Sequence, residues 1–262
     1  MELNLKDKLV LITGSTSGIG KEIAKVFCRE GARVVMNGRS EDRVKAVFEE
    51  LSQYGKVSGI AADVSTAEGV ECLFTEATRI GEVDVLVNNV GIFEVKPFED
   101  TTDEDWFHYF NVNVMTAVRL SRKILPGMLE RKTGRIIMIA SEAGVKPMPE
   151  MIHYSVTKTA LIGLARGLAE LTKGTDVSVN SVLAGPTWTD GAKNYFEGIS
   201  KAEGRPLNDV TRDFFTKENP TSIIQRFATV EEVAAMVVFL SSVSAVNGSA
   251  QRIEGGIIRS IL

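Results

Sequence analysis

The sequence predicts an α/β fold, a doubly wound parallel sheet with helices on both faces, in a single domain spanning 1–262. Three observations predict it. Short β-branched apolar runs alternate with longer amphipathic runs along the whole chain. The short runs are apolar at nearly every position, the mark of strands covered on both faces. The 262 residues suffice for one large domain, and no linker, repeat or low-complexity segment divides them. Repeated β-α units then imply right-handed crossovers.

The elements follow in order. "LVLIT" at 9–13 reads as the first strand and 18–30 as the first helix, stopped by Gly31. "ARVVMN" is the second strand, followed by a helix over 41–53. "KVSGIAAD" is the third, with a helix over 66–80. "VDVLVNN" is the fourth, leading to one long helix over 103–131. "GRIIMIAS" is the fifth, with a helix over 153–173, and "VSVNSV" is the sixth. A late helix covers 230–241 and "SAQRIEG" closes as a strand. The stretch 189–222 reads as an irregular insertion, too long for a simple connection and placed as a mobile substrate loop.

Composition narrows the function. The net charge is −4 and no long basic run occurs, which argues against nucleic acid or an acidic membrane surface as partner. No apolar run approaches the ~18 residues of a membrane span, and "MELNLKDK" lacks a signal-peptide core. A cytoplasmic location is expected. Cys28 and Cys72 lie far apart among apolar helical residues, so buried free thiols are expected rather than a disulfide or metal site.

After the first strand comes "TGSTSGIG", with Gly14, Gly18 and Gly20 in a G-x-x-x-G-x-G spacing. A tight turn, a close backbone approach to a pyrophosphate and close helix packing each favour a residue without a Cβ. Amide groups at the helix start then face the phosphates. Gly14, Ser15, Thr16 and Ser17, with Gly18, Ile19 and Gly20, are the expected contacts. In "AADVS", Asp63 could accept from an adenine amino group with Val64 beside it; the alternative for Asp63 is a helix cap, a task open to Ser65. An acidic residue about 20 positions after the glycines would bind the ribose 2′-hydroxyl of NAD. The second strand instead ends "MNGRS", where Arg39 could pair with a 2′-phosphate. This favours NADP(H) over NAD(H).

"YSVTK" puts Tyr154 and Lys158 on one helix face. A nearby ammonium would lower the phenol from its ordinary pKa near 10 and let Tyr154 exchange a proton with a carbonyl or alcohol oxygen. Lys158 could also bond the nicotinamide ribose. Ser141 lies 13 residues earlier, at the carboxyl end of a strand, where a hydroxyl can hydrogen-bond a substrate oxygen. "VNNVG" brings Asn89 and Gly91 to the same edge. "FNVNVMTAV" holds two asparagines inside a helix, each a poor helix former that can bend it and hold a water. Asn113 is the candidate, with Asn111 the competing choice.

Taken in order, "TGSTSGIG", "ADVS", "NNVG", Asn113 in "VNVMTAV", Ser141, "YSVTK", "VNSVLAGPTWT" and "RIEGG" resemble the short-chain dehydrogenase/reductase family, in its single-domain, 3-oxoacyl-carrier-protein-reductase-like form. The resemblance covers nearly the whole chain. It implies a Rossmann-type sheet of seven strands, an Asn113-Ser141-Tyr154-Lys158 set, and hydride transfer between NAD(P)H and a carbonyl or alcohol. The choice of Asn113 leans on it. Val90 stands where the family often has alanine, and Ala184 where proline is usual. Gly185 and Pro186 keep a rigid turn, and Thr187 or Thr189 could bond the carboxamide. The resemblance also implies a homotetramer, with a dimer as runner-up, through the helices at 103–131 and 153–173 and the apolar tail "IEGGIIRSIL".

The substrate pocket is expected from Phe93, Glu142, Met148, Met151, His153 and Trp188, with Tyr195 and Phe196 from the insertion. Most are apolar, which suits a hydrophobic ketone. Glu142 could meet a cationic or hydroxyl-rich substrate, and His153 could be a second proton donor. Arg205 and Arg212 could meet an acidic carrier protein. The reading is therefore an NADPH-dependent reductase of a small-molecule ketone, a sugar-derived ketone or a 3-oxoacyl group. The alternatives are an NAD-linked alcohol dehydrogenase and a non-catalytic NADP(H)-binding sensor.

Overall fold

In the computed structural model, which describes residues 3–261, strands and helices alternate in chain order. Met1 and Glu2 of the opening run and Leu262 of the apolar tail lie outside the described residues. β1 (Leu9–Ile12) leads to α1 (Gly18–Arg29), β2 (Arg33–Gly38) to α2 (Glu41–Leu51), and β3 (Lys56–Ala61) to α3 (Ala67–Ile80). β4 (Val85–Asn88) precedes α4 (Asp103–Phe110) and α5 (Thr116–Arg131), and β5 (Thr133–Ser141) precedes α6 (Ile152–Glu170). After β6 (Asp176–Ala184) come α7 (Asp190–Glu203), α8 (Leu207–Asp213), α9 (Val230–Ser242) and β7 (Ala250–Ile253).

The strands form one parallel seven-stranded sheet of order β3-β2-β1-β4-β5-β6-β7. From β1 the chain winds outward through β2 and β3, then returns to the other side of β1 with β4. The crevice at the carboxyl ends of β1 and β4 is thus a topological switch point, where open α/β sheets bind ligands. The register aligns Ile12 with Val87, and Ser141 with Ala184, so the glycine turn, the "NNVG" turn, Ser141 and Gly185 share one edge.

Period-two alternation explains the two layers. In β1, Leu9 and Leu11 pack with Leu73, Leu120 and Leu161 from α3, α5 and α6. Val10 and Ile12 point the other way, toward Ile23 and Phe27 of α1, Val44 of α2 and Val237 of α9. All four β1 residues are buried, as a strand covered on both faces must be.

Some expectations need correction. β3 is an edge strand whose residues are exposed or half-buried, so its apolar run does not mark two-sided cover. The long helix over 103–131 is interrupted by a π-turn at Asn111–Met115, which carries both asparagines. The insertion is helical rather than irregular. Thr189 caps α7 by accepting from Ala192 N at 3.1 Å, Gly204 ends it in the left-handed region at φ 63°, and α8 and a π-turn at Phe214–Glu218 follow. Phe196, Val210 and Phe215 are buried there, which supplies the driving force for order. Cys28 is buried as expected, but Cys72 is exposed on α3. Among the described residues no helix is long and apolar enough to cross a membrane.

Candidate active site

A continuous cleft of about 1370 Å³ runs along the carboxyl edge of the sheet. At one end lies the turn between β1 and α1. Gly14 and Gly18 adopt left-handed φ values of 62° and 53°, and a Cβ on Gly20 would lie 2.4 Å from Asn89 Nδ2 and 2.5 Å from Gly14 O. Asn89 Nδ2 donates to Thr13 O at 2.9 Å and Gly14 O at 3.0 Å, which pins the end of β4 against the turn. Ser17 occupies the N-cap of α1 without a side-chain hydrogen bond, so the first amides of the helix keep no cap of their own. Thr16, Ser17, Gly18, Ile19 and Gly20 line the cleft there. This is a cradle that a Cβ would fill, with N–H groups and a positive helix end toward it, and it fits a dinucleotide pyrophosphate. Ser15 is a correction. Its side chain is fully buried, with Oγ donating to Ile12 O at 2.9 Å and accepting from Asn37 N at 2.9 Å, so it ties the turn to β2 instead of facing the cleft.

At the end of β2, Asn37 is buried and its Nδ2 donates to Ile60 O at 3.2 Å and Ala62 O at 3.1 Å. The position is committed to holding β2 and β3 together. Arg39 and Ser40 line the cleft beside it, and so does Arg43, which sequence reasoning missed. The signal was available: Ser40 caps α2 by accepting from Arg43 N at 3.4 Å, so Arg43 falls in the first turn, close to Arg39. The two guanidinium groups line the cleft while Glu41 and Asp42 between them do not, an arrangement that suits a 2′-phosphate. Asp63 and Val64 line the cleft as expected. Asp63 Oδ1 accepts from Ser65 N at 3.0 Å and Ser65 Oγ at 2.8 Å, while the cap of α3 is Thr66, which accepts from Gly69 N at 2.9 Å.

At the middle of the cleft β5 delivers Ser141 while Tyr154 and Lys158 stand one turn apart on α6. Lys158 is buried and its Nζ donates to Ile139 O at 2.9 Å, 5.6 Å from the Tyr154 ring centroid. A Cβ on Gly91 would lie 3.1 Å from that Nζ, so the loop after β4 passes close to the Lys158 ammonium. Asn113 Oδ1 accepts from Ile92 N at 2.8 Å, and its Nδ2 donates to Ile92 O and Thr157 Oγ1, each at 3.0 Å. Asn111 faces elsewhere: its Nδ2 donates to Ser65 O at 2.8 Å and its Oδ1 accepts from Arg119. The π-turn thus sends the two asparagines to different neighbours, with Asn113 beside Lys158.

The electrostatics revise one expectation. Burial pushes the Tyr154 phenol up from its ordinary 10, the Glu142 carboxylate adds to the rise, and hydrogen bonding with Ser141 opposes it. The expected lowering by Lys158 does not prevail, since burial also pulls the Lys158 ammonium down to about 8. Tyr154 is therefore held as a protonated phenol at neutral pH.

The substrate end brings together Phe93, Glu142, Met148 and Met151, with Tyr195 and Phe196 from α7. Phe93 meets Tyr154 edge-on with centroids 6.2 Å apart. His153 and Trp188 do not line the cleft. His153 is 1% exposed and packs edge-on against Tyr109 at 4.3 Å; neither ring nitrogen has a hydrogen-bond partner, and burial lowers its pKa. As the residue before Tyr154, it points about 100° away around the helix. Trp188 instead packs on Phe227 at 4.9 Å and Phe196 at 6.4 Å. Arg205 pairs with Asp213 and Glu203, and Arg212 with Asp209 at 2.8 Å, so each arginine has carboxylate partners within the insertion. The mouth also carries Glu150 and Glu218, which the sequence reading missed. Burial raises the Glu218 pKa, helped by Glu150, Asp213 and Glu203. Glu150 lies in a short 3-10 turn, Pro149–Met151, just before α6. At the far wall Thr187 Oγ1 donates to Gly185 O at 2.8 Å, and Thr187 and Thr189 both line the cleft.

Fold and site together define a dinucleotide-dependent oxidoreductase architecture. A short chain dehydrogenase family model matches residues 8–200, and the chain belongs to the short-chain dehydrogenase/reductase family. It is 59% identical over 263 residues to the uncharacterized oxidoreductase YvrD of Bacillus subtilis strain 168, covering 100% of both chains. It is 34% identical over 256 residues to a D-beta-hydroxybutyrate dehydrogenase of Cupriavidus necator, covering 96% of this chain and 98% of the relative. Among solved structures, the L-sorbose reductase from Gluconobacter frateurii complexed with NADPH and L-sorbose superimposes with a TM-score of 0.94 at 33% identity, covering 100% of both chains. The protein is thus an oxidoreductase acting between C=O and CH–OH groups.

Proposed function

We propose that this protein reduces a neutral, hydroxyl-bearing ketone to a secondary alcohol with NADPH. The observation that carries the reading is the convergence of Ser141, Tyr154 and Lys158 on one cleft that continues to the glycine turn and to Arg39 and Arg43. NADPH, when bound, supplies the hydride equivalent for the carbonyl carbon. Tyr154 Oη, which is protonated at neutral pH, gives its proton to the carbonyl oxygen. Ser141 Oγ hydrogen-bonds the same oxygen and stabilises the charge that develops there. Lys158, fixed by Ile139 O, sets a positive charge beside the phenol. Asn113 keeps the loop after β4 seated against α6. Gly14, Gly18, Gly20, Asn89, Gly91 and Gly185 form the backbone bed of the cofactor, with Asp63 at the adenine end and Thr187 and Thr189 at the nicotinamide end.

Three features support the substrate class. Glu150 and Glu218 place acidic groups at the mouth of the substrate end, which disfavours carboxylates and acidic carrier proteins. Arg205, paired with Asp213 and Glu203, offers such partners little compensation. The L-sorbose reductase likeness adds a keto sugar as precedent. NADPH oxidation with neutral ketoses, set against 3-oxo acids and carrier-bound 3-oxoacyl groups, tests this. Faster turnover of ketoses is expected, and preference for the anionic ketones overturns the substrate class. The assembly we propose is a homotetramer formed through the α4–α5 and α6 faces, which light scattering would check.

A further inference from the structure

Glu142 is hydrogen-bonded to Ser141, and the reduction assigns it no task. It is 3% exposed, and its Oε2 lies 2.7 Å from Ser141 Oγ. Ser141 Oγ already accepts a hydrogen bond from Ala143 N at 3.1 Å. A hydroxyl has one proton and two lone pairs. If Glu142 is ionised it takes the serine's proton, and Oγ presents only a lone pair toward a carbonyl oxygen, which is also an acceptor. If Glu142 is protonated its O–H fills the second lone pair, and the serine's proton is left for the substrate. Only the second arrangement satisfies every group when a ketone is bound.

We propose that Glu142 is a positioning residue that acts through Ser141, donating to Ser141 Oγ as a neutral acid so that the serine's proton points at the substrate carbonyl oxygen. The proposal rests on the reading of Ser141 as the substrate's hydrogen-bond donor. The surroundings support a neutral acid near pH 7. Burial pushes the Glu142 carboxyl up to about 7, and Glu254 beyond β7 adds to the rise; Ser141 and Lys146 in the turn after β5 oppose it. From α6, Lys158 and Tyr154 face it: its charge raises the pKa of both. Glu254 itself is held by Arg252 and by the amides of Ile257 and Ile258, so it remains a fixed neighbour.

The test is kcat/KM for ketone reduction at saturating NADPH, at about pH 6 and about pH 8, either side of the Glu142 carboxyl. The neutral fraction of a group with pKa about 7 falls about tenfold across that interval. The wild type is expected to lose at least that factor. Glu142→Gln carries an amide that donates but cannot ionise, and its profile is expected to fall less steeply than that of the wild type, the remaining fall coming from Lys158, which loses the Glu142 charge that raised it. A Glu142→Gln profile that falls as steeply as the wild type overturns the proposal. Ser141→Ala separates the two layers of the argument. If it reduces ketones at the wild-type rate, the reading of Ser141 fails and this inference with it. If it is impaired while Glu142→Gln keeps the wild-type profile, only the role of Glu142 fails. Carboxyl NMR of protein labelled at glutamate gives a readout independent of turnover and of the glutamine variant's folding, with the resonance assigned by its loss in Glu142→Asp. A Glu142 resonance titrating near pH 7 is expected, and one already ionised at pH 6 overturns the proposal.

Discussion

Asn113 clasps both ends of the Ile92 residue: its Oδ1 accepts from Ile92 N at 2.8 Å and its Nδ2 donates to Ile92 O at 3.0 Å. The same Nδ2 reaches Thr157 Oγ1, which in turn donates to Tyr154 O at 2.7 Å. One side chain on the π-turn therefore couples the loop after β4 to the helix that carries Tyr154 and Lys158. The wider turn that a π-bulge makes is what brings Asn113 inward while Asn111 faces Ser65.

Asn113→Ala should leave the Ile92 N–H and C=O unpaired in a part-buried setting, at a cost of about 2 kcal/mol. A fall in Tm of several degrees and at least a tenfold loss of kcat are expected. Asn111→Ala should lower Tm without a comparable loss of kcat, since its partners are Ser65 before α3 and Arg119 on α5, not the loop after β4 or α6. Calorimetry and steady-state kinetics on the pair check this, and equal kinetic losses would contradict the division of roles.

Tyr154→Phe removes the only hydroxyl proposed to protonate the carbonyl oxygen. A kcat loss on the order of 10²–10⁴ is expected. NADPH affinity, followed by the quenching of Trp188 and Trp106 fluorescence, should stay within several-fold. Retained turnover would mean another proton donor.

Arg39→Ala and Arg43→Ala should each weaken NADPH far more than NADH. A charge-assisted hydrogen bond to a phosphate contributes about 1.5–3 kcal/mol, which corresponds to roughly 10- to 100-fold in Kd. Titration calorimetry with both cofactors measures the difference, and equal losses would show that neither guanidinium reads the 2′-phosphate.

Much of this architecture was legible because it is written in local periodicity. β1 reads as a doubly covered strand because Leu9, Val10, Leu11 and Ile12 are apolar without alternation, and they are buried on both faces. The glycine turn was legible because left-handed Gly14 and Gly18 and the close approach at Gly20 are demands only glycine meets. What failed depended on tertiary placement. The run at 56–61 was read with the doubly covered strands, yet it carries Lys56, Ser58 and Gly59 and lies at the sheet edge. Cys72 shares a helix with buried Val70 and Leu73 but falls on the outer face. His153 adjoins Tyr154 in sequence and diverges from it around the helix. The insertion looked irregular because its apolar residues are few, but Phe196, Phe214, Phe215 and Phe227 gather into one cluster with Trp188 only when folded. The upward shift of Tyr154 could not be read from a Y-x-x-x-K spacing, since burial is a property of the cleft.

Glu142 also makes stability depend on pH. Its carboxyl rises from the ordinary 4.5 to about 7 on folding, so the native state binds the proton more tightly than the unfolded chain. Stability contributed by the neutral acid is present below about 4.5 and is lost as pH climbs through 7; the full shift corresponds to about 3 kcal/mol. Denaturant melts at about pH 5 and about pH 8 should show the wild type losing more stability than Glu142→Gln across that window. Parallel losses would contradict a neutral carboxyl in the fold.

The central claim is direct transfer from the dihydronicotinamide to a ketone carbon in this cleft. The most direct test is a single turnover with NADPH deuterated at both C4 positions and a ketose, with the product alcohol analysed by mass spectrometry. One deuterium on the new carbinol carbon, formed on the order of 10²–10⁴ times more slowly when Tyr154→Phe replaces the wild type, is the result expected. An alcohol without deuterium, or tight NADPH binding with no alcohol from any ketone tried, would contradict the account.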